Sequence, residues 1–95
     1  MGDVFDALAH PVRRKILKLL RNGPISAGDL AAGFDITKPT LSGHFAVLKA
    51  ADLVHTERQG TSILYRLNMS VLEEAMAALM SIAGTQAPDP EGEPS

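Results

Sequence analysis

The residues that could do chemistry in this chain are cations and short hydrogen-bonding side chains, gathered in three places. Arg13, Arg14, Lys15, Lys18 and Arg21 put five cations and no acid into the ten residues 12–21. Thr37, Lys38, Thr40, Ser42, His44 and Lys49 form a second group, with Gly43 among them. Arg58, Gln59, Thr61 and Arg66 form the third. No nucleophile with a paired base, Gly-rich phosphate loop or carboxylate pair in a plausible cleft accompanies them, so no enzymatic activity is expected. Guanidinium, ammonium, hydroxyl and imidazole groups together suit pairing with phosphates and hydrogen bonding to base edges.

Metal chemistry finds little support. The chain has no cysteine, which removes thiolate sites and disulfides. His10, His44 and His55 fall in different predicted elements, and lone histidines are more often caps, core or nucleic-acid contacts than ligands. No metal and no cofactor are expected.

These groups need elements to hold them. Asp3 can cap a short helix to Ala9 that carries Val4, Phe5 and Leu8. Pro11 suits the first turn of a second helix, which runs to about Asn22 and stops at Gly23-Pro24. There Val12, Ile16, Leu19 and Leu20 form the apolar side and Arg14, Lys18 and Arg21 lie opposite, flanked by Arg13 and Lys15. That basic side reads either as a solvated face or, through Arg13 and Arg14, as a phosphate contact. Ser26-Ala27-Gly28-Asp29 has the form of a capping box opening a third helix, with Leu30, Ala31 and Phe34 inward. Asp35-Ile36-Thr37 turns the chain, and Leu41, Phe45 and Leu48 give the fourth helix one buried stripe.

Two short helices joined by a tight turn, the second amphipathic, match a helix-turn-helix. Residues 53–58 and 62–67 then read as strands around Gln59-Gly60-Thr61, with Ile63, Tyr65 and Leu67 alternating against Ser62, Leu64 and Arg66. A hairpin in that place is a wing. Ser70-Val71-Leu72-Glu73 reads as a second capping box, opening a last helix to about Ala83. From Gly84 the polar, Pro- and Gly-rich TQAPDPEGEPS predicts a disordered acidic tail over 84–95. The expected fold is α+β, mainly α, in the order α-α-α-α-β-β-α, with residues 1–83 as one domain.

Net charge is −2, but its distribution is uneven. Residues 1–66 hold all nine Lys and Arg against six acids, and residues 67–95 hold five acids and no cation. A polyanion feels the local field, so the whole-chain value misleads. No apolar run approaches the ~20 residues of a membrane span. The opening MGDVFDALAH has neither a basic nor an apolar leader segment. A soluble, cytoplasmic protein without direct membrane insertion is expected.

HPVRRKILKLL, ISAGDLAAGFDITKPTLSGHFAVLKAADLV and the wing ERQGTSILYRL resemble the ArsR-type winged-helix repressors over residues 3–83. The L-S-x-H-x-x-x-L stretch (Leu41, Ser42, His44, Leu48) running into the wing carries much of the likeness. Within that family the chain is most similar to the SdpR-like autorepressors. The resemblance implies a homodimer paired through its first and last helices and bound to double-stranded operator DNA. It also implies sequestration by a membrane partner. The metal site usual in the family's last helix would have no ligands, since that helix contains neither His nor Asp.

On these expectations Thr37, Lys38, Thr40, Ser42, Gly43, His44 and Lys49 face DNA from the fourth helix. Pro39, Gly43, Ala46 and Ala50 keep that face small or flat. Gly43 costs about 1 kcal/mol against alanine in a helix interior, which close backbone approach to a groove would explain. Few of these residues make bidentate base contacts, so DNA shape should supply part of the specificity. Arg58, Gln59 and Thr61 are the wing's candidates, while Arg66 either joins them or pairs with Glu57 across the hairpin.

In the last helix Val71, Leu72, Ala75, Met76, Leu79, Met80, Ile82 and Ala83 span about half of the wheel, wider than the ~100° stripe a monomer core needs. With Val4, Phe5 and Leu8 they form the expected dimer interface. A domain this small buries only ~60–65% of its unfolded surface, so a partner subunit would add useful burial. The rival reading is a winged helix used for protein assembly, whose recognition helix would be apolar or acidic rather than polar and basic. A repressor answering to an unidentified small molecule or metal is a further alternative.

Overall fold

Side chains that accept a backbone N–H start four of the five helices. The computed structural model describes residues 3–84. Asp3 caps α1 (Val4–Leu8), and the Nδ1 of His10 caps α2 (Pro11–Leu20) by accepting from Val12. After β1 (Ile25–Ser26), Ser26 accepts from the Asp29 amide at 3.1 Å to open α3 (Ala27–Ala32). Thr37 caps α4 (Lys38–Ala50), with Pro39 in its first turn, where a missing N–H costs nothing. The hairpin β2 (Val54–Gln59) and β3 (Ser62–Leu67) follows, and α5 (Met69–Ile82) ends the described chain.

The winged helix-turn-helix is present, with differences in detail. A short strand, β1, stands between α2 and α3 and makes the sheet three-stranded, in the antiparallel order β1-β3-β2. Ile25 pairs with Tyr65 and Ser26 with Leu64. Two residues between Pro24 and a helix cap have no period to read, so only the distant partner strand reveals them. The order α-α-α-α-β-β-α is corrected accordingly. Helix α2 stops at Leu20 rather than Asn22, and it buries Leu17 instead of Leu19, which is exposed. The first hairpin strand begins at Val54, one residue later than expected.

The capping box expected at Ser70–Glu73 does not form, because Ser70 already lies inside α5 and the N-cap Asn68 makes no side-chain cap bond. Asn68 is used elsewhere. Its Nδ2 donates to the carbonyl of Asp52 at 2.9 Å, and its backbone N–H donates to the carbonyl of Leu53 at 2.9 Å. Asp52 has φ 60°, the left-handed conformation that lets the chain turn from α4 into β2. Gly60, at φ 61°, makes the corresponding turn in the wing, where Gln59 pairs with Ser62. Of the expected tail, residues 85–95 lie outside the described residues.

The core gathers one face of each element. Ile16, Leu20, Leu30, Leu48 and Leu53 are fully buried, joined by Leu17, Leu41 and Phe45. Tyr65 on β3 packs its ring 4.6 Å from that of Phe45, locking the sheet against α4. Helix α5 stands apart, because its one buried residue, Ala75, lies outside the core cluster and only the partly buried Val71 and Leu72 pack against it.

Removing Leu48 from this centre should therefore be costly. Leu48→Ala should lower stability by about 3 kcal/mol in urea unfolding. Asp52→Gly should instead raise it, by up to about 1 kcal/mol, because glycine adopts the left-handed turn without strain.

Candidate nucleic-acid interface

One side of α4 is locked into the core by Leu41, Phe45 and Leu48. The opposite side lies bare: Pro39, Gly43, Ala46 and Ala50 are exposed, and so are Lys38, Thr40, Ser42 and Lys49. At Gly43 no atom from beyond the local helix backbone lies within 4 Å of where a Cβ would stand among the described residues, so their packing does not require a glycine. Thr37 accepts from the Thr40 amide and donates its hydroxyl proton to the Thr40 oxygen at 2.9 Å. The hydroxyl proton of Thr40 is thereby left for an outside acceptor. A shallow cleft lined by Gly28, Lys38 and Ser42 runs between α3 and α4.

Arg58, Gln59 and Thr61 sit together at the exposed end of the wing, and none of them bonds another element through its side chain among the described residues. Arg66 takes the pairing alternative, with Nη2 donating to Glu57 Oε1 at 3.1 Å. Both side chains are about half exposed, so this pair contributes little to stability. It is the one ion pair among the described residues.

The basic run of α2 has a use that its sequence did not disclose. Helix α1 has only five residues, so the carbonyls of Ala7 and Leu8 have no partner within it, and that of Asp6 accepts only from the C-cap Ala9 amide. Arg13 reaches back and donates from Nε to the carbonyl of Ala7 at 2.8 Å and from Nη2 to that of Asp6 at 3.0 Å. Arg14 donates to the carbonyl of Leu8 at 2.9 Å. Lys15 does the same at the end of α3, donating to the Gly33 carbonyl at 3.1 Å with its ammonium 4.7 Å from the Phe34 ring centre. Three of the five cations thus cap neighbouring helices. For α1 the hint is local, a five-residue helix with two arginines shortly after it, whereas Lys15 precedes α3 and only the packing brings it to Gly33.

Arg13 does one thing more. Its Nη1 lies 3.2 Å from Nδ1 of His44, on α4. His10 completes the cluster, its ring centre 4.4 Å from that of His44, so two histidines far apart in sequence meet in space. Burial holds the pKa of His44 below the usual histidine value of 6.5, and the nearby His10 and Arg13 add to the effect. No cluster of three or more metal-ligating side chains occurs among the described residues, and no described helix is long and apolar enough to cross a membrane.

A helix with a bare polar face, a shorter helix packed before it and a hairpin after it make the architecture of a DNA-binding regulator. Residues 8–57, from the end of α1 into β2, match the family model of a helix-turn-helix domain. The transcriptional repressor SdpR of Bacillus subtilis (strain 168) is 45% identical over 76 residues, covering 80% of this chain and 84% of that protein. A biofilm growth-associated repressor of Xylella fastidiosa (strain Temecula1) is 34% identical over 90% of this chain and 75% of its own length. Among solved structures, a possible transcriptional regulator for arsenical resistance matches with a TM-score of 0.79 at 32% identity, covering 86% of this chain and 85% of that one. The ArsR family regulator RHA00566 matches with a TM-score of 0.70 at 25% identity, over 92% of this chain and all of that one. The chain belongs to the ArsR family of winged helix-turn-helix transcriptional repressors, a non-enzymatic family.

Two outcomes follow from the geometry of α4. Gly43→Ala should raise stability by up to about 1 kcal/mol, since its methyl group enters open space and alanine is the better helix former. The His44 ring should titrate by proton NMR with a midpoint below 6.5. Between that midpoint and 6.5 the unfolded chain binds more protons at this site than the folded one does. Its contribution to stability should accordingly fall as pH drops through 6.5, and level off below the folded midpoint.

Proposed function

We infer that the chain represses transcription as a homodimer, with α4 of each protomer seated in the major groove at one half of a palindromic operator. The observation that carries this reading is the bare face of α4: small at Gly43, Ala46 and Ala50, and flanked by Lys38, Thr40, Ser42, His44 and Lys49. Small residues let the helix axis come close to the bases, and the flanking groups reach phosphates and base edges. Arg58, Gln59 and Thr61 of the wing reach the adjacent minor groove or its phosphates.

The dimer reading rests on apolar surface the protomer leaves uncovered. Phe5 is 45% exposed, Met76 and Leu79 are each 50% exposed and Ile82 is 82% exposed. A groove of about 360 Å³ lined by Val4, Phe5, Ala51, Val71 and Ala75 runs between α1, α5 and the end of α4. Val4, Leu8 and Leu72 keep part of their surface open, as does Met80, and Ala83 is exposed. Covering this face with a second copy brings two α4 helices to one side of the DNA, and two-fold symmetry then calls for a palindrome. Similarity to the SdpR-like autorepressors makes the promoter of its own gene the first operator to examine.

The test is binding to duplex DNA as salt is varied, read beside sedimentation. Gly43→Glu should stay folded, because a Cβ there enters open space among the described residues, yet lose DNA affinity by steric block and charge. Lys38→Ala should weaken all sequences alike and reduce the log–log salt slope by about 0.9 for each phosphate no longer neutralised, so ~2 for a dimer. Leu79→Glu should yield monomers or unfolded chains and abolish operator binding. A folded Gly43→Glu protein that binds operator normally would transfer the reading to protein assembly, and a wild-type monomer with full affinity for a palindrome would remove the dimer.

A further inference from the structure

We propose that Arg13 is a positioning residue for DNA reading, tying the last carbonyls of α1 to His44 on α4 so that His44 meets the duplex as a hydrogen-bond donor through Nε2. The proposal rests on the reading of α4 as the groove-facing helix and adds how one of its side chains is set.

Donor and acceptor chemistry fixes the tautomer. A guanidinium has N–H groups only and accepts nothing. The 3.2 Å contact between Arg13 Nη1 and His44 Nδ1 therefore requires Nδ1 to offer its lone pair. A neutral imidazole carries one N–H, so the proton sits on Nε2. Every group facing this ring opposes a second proton or leaves it unaided: Arg13 from α2, and His10 from the start of α2, whose own Nδ1 is committed to the Val12 amide. No described group bonds Nε2, and it is not sealed among the described residues, since none of their buried side-chain nitrogens or oxygens lacks a partner. His44 lies one turn after Thr40, on the flank of the bare face. The fitting acceptors on a duplex are guanine N7 and O6, thymine O4 or a phosphate oxygen.

Arg13 is itself held. Its Nε and Nη2 bond the carbonyls of Ala7 and Asp6, and Ala7 is completely buried. The guanidinium plane is thus referred to α1, which also carries the half-exposed Phe5. A shift of α1 would move Arg13 and, with it, the ring that reads DNA.

The experiment begins with a duplex selected by the wild-type protein from a random-sequence library. Affinity for it and for a random-sequence duplex is measured for wild type, Arg13→Met, His44→Phe and the double variant. Each single variant should weaken binding to the selected duplex about fivefold for each half-site hydrogen bond removed, and the double variant should bind no more weakly than His44→Phe alone. A loss confined to the selected duplex assigns the acceptor to a base edge, and an equal loss on both assigns it to phosphate. In the free wild-type protein, long-range proton–nitrogen spectra should show His44 protonated at Nε2 with Nδ1 bare. Arg13→Met should raise the His44 midpoint and mix the tautomers. Additive losses, wild-type affinity in His44→Phe, or a proton on Nδ1 overturns the proposal. If Arg13→Met proves too unstable to assay, the wild-type spectrum and His44→Phe decide it. A wild-type protein that selects no duplex removes the reading of α4 itself, whereas selection with additive variants removes only the link through Arg13.

Discussion

Leu41, Phe45 and Leu48 enter the core from one side of α4, and the residues of the other side are exposed among the described residues. Much of the domain can be understood as the means of holding a helix in that half-buried state. A helix buried all round could not read anything, and one exposed all round would not hold its place. Tyr65 stacks on Phe45 from the sheet, Thr37 fixes where α4 starts, and the left-handed Asp52 fixes where it ends. The tight stripe of three large side chains allows the opposite face to be reduced to glycine and alanine without loss of the helix.

Charge in this protein serves two masters. A helix of five or six residues leaves most of its last-turn carbonyls without an intrahelical i→i+4 partner, and the fold has two such helices, α1 and α3. Arg13, Arg14 and Lys15 supply the missing donors. The cations of α2 are therefore partly a scaffold for their neighbours, and counting them overstates the side chains free to bond phosphate directly. Lys38, Lys49 and Arg58 remain exposed and without a bonded partner among the described residues. Arg13 joins the two roles, because the bonds that finish α1 also orient its Nη1 toward His44.

Helix α5 is the opposite case from α4. It has fourteen residues rich in strong helix formers, yet buries only Ala75 and packs Val71 and Leu72 against the core, so most of its apolar face is left for a partner. Val4 and Phe5 of α1 and Val71 and Ala75 of α5 line one groove, and Met76, Leu79 and Ile82 stay exposed further along α5. In so small a domain that uncovered surface is a large part of what remains to stabilise it. Assembly and DNA reading would then share α1, which contributes Phe5 outward and two carbonyls to Arg13 inward.

The elements with a strong local signal were legible in the amino-acid order alone. The stripe Leu41, Phe45, Leu48, the Thr37 and Ser26 caps, Pro11 and Pro39 in first turns, and the Gly60 hairpin are each written within a few residues of one another. With the resemblance they sufficed for the winged helix-turn-helix and its family, and they picked out the bare face of α4. What they did not carry depends on partners distant in the chain. Strand β1 exists because Tyr65 and Leu64 lie beside it, forty and thirty-eight positions further on. Asn68 leaves α5 uncapped because Asp52 and Leu53, sixteen and fifteen residues earlier, take its hydrogen bonds. His10, Arg13 and His44 meet because α2 crosses α4, and no spacing in the sequence marks that encounter. Local hydrogen-bond chemistry and periodicity act over one or two turns, so sequence reveals which segments become helix or strand. A guanidinium with five donors bonds whichever carbonyls and ring nitrogens the packing brings near, and that choice belongs to the tertiary structure.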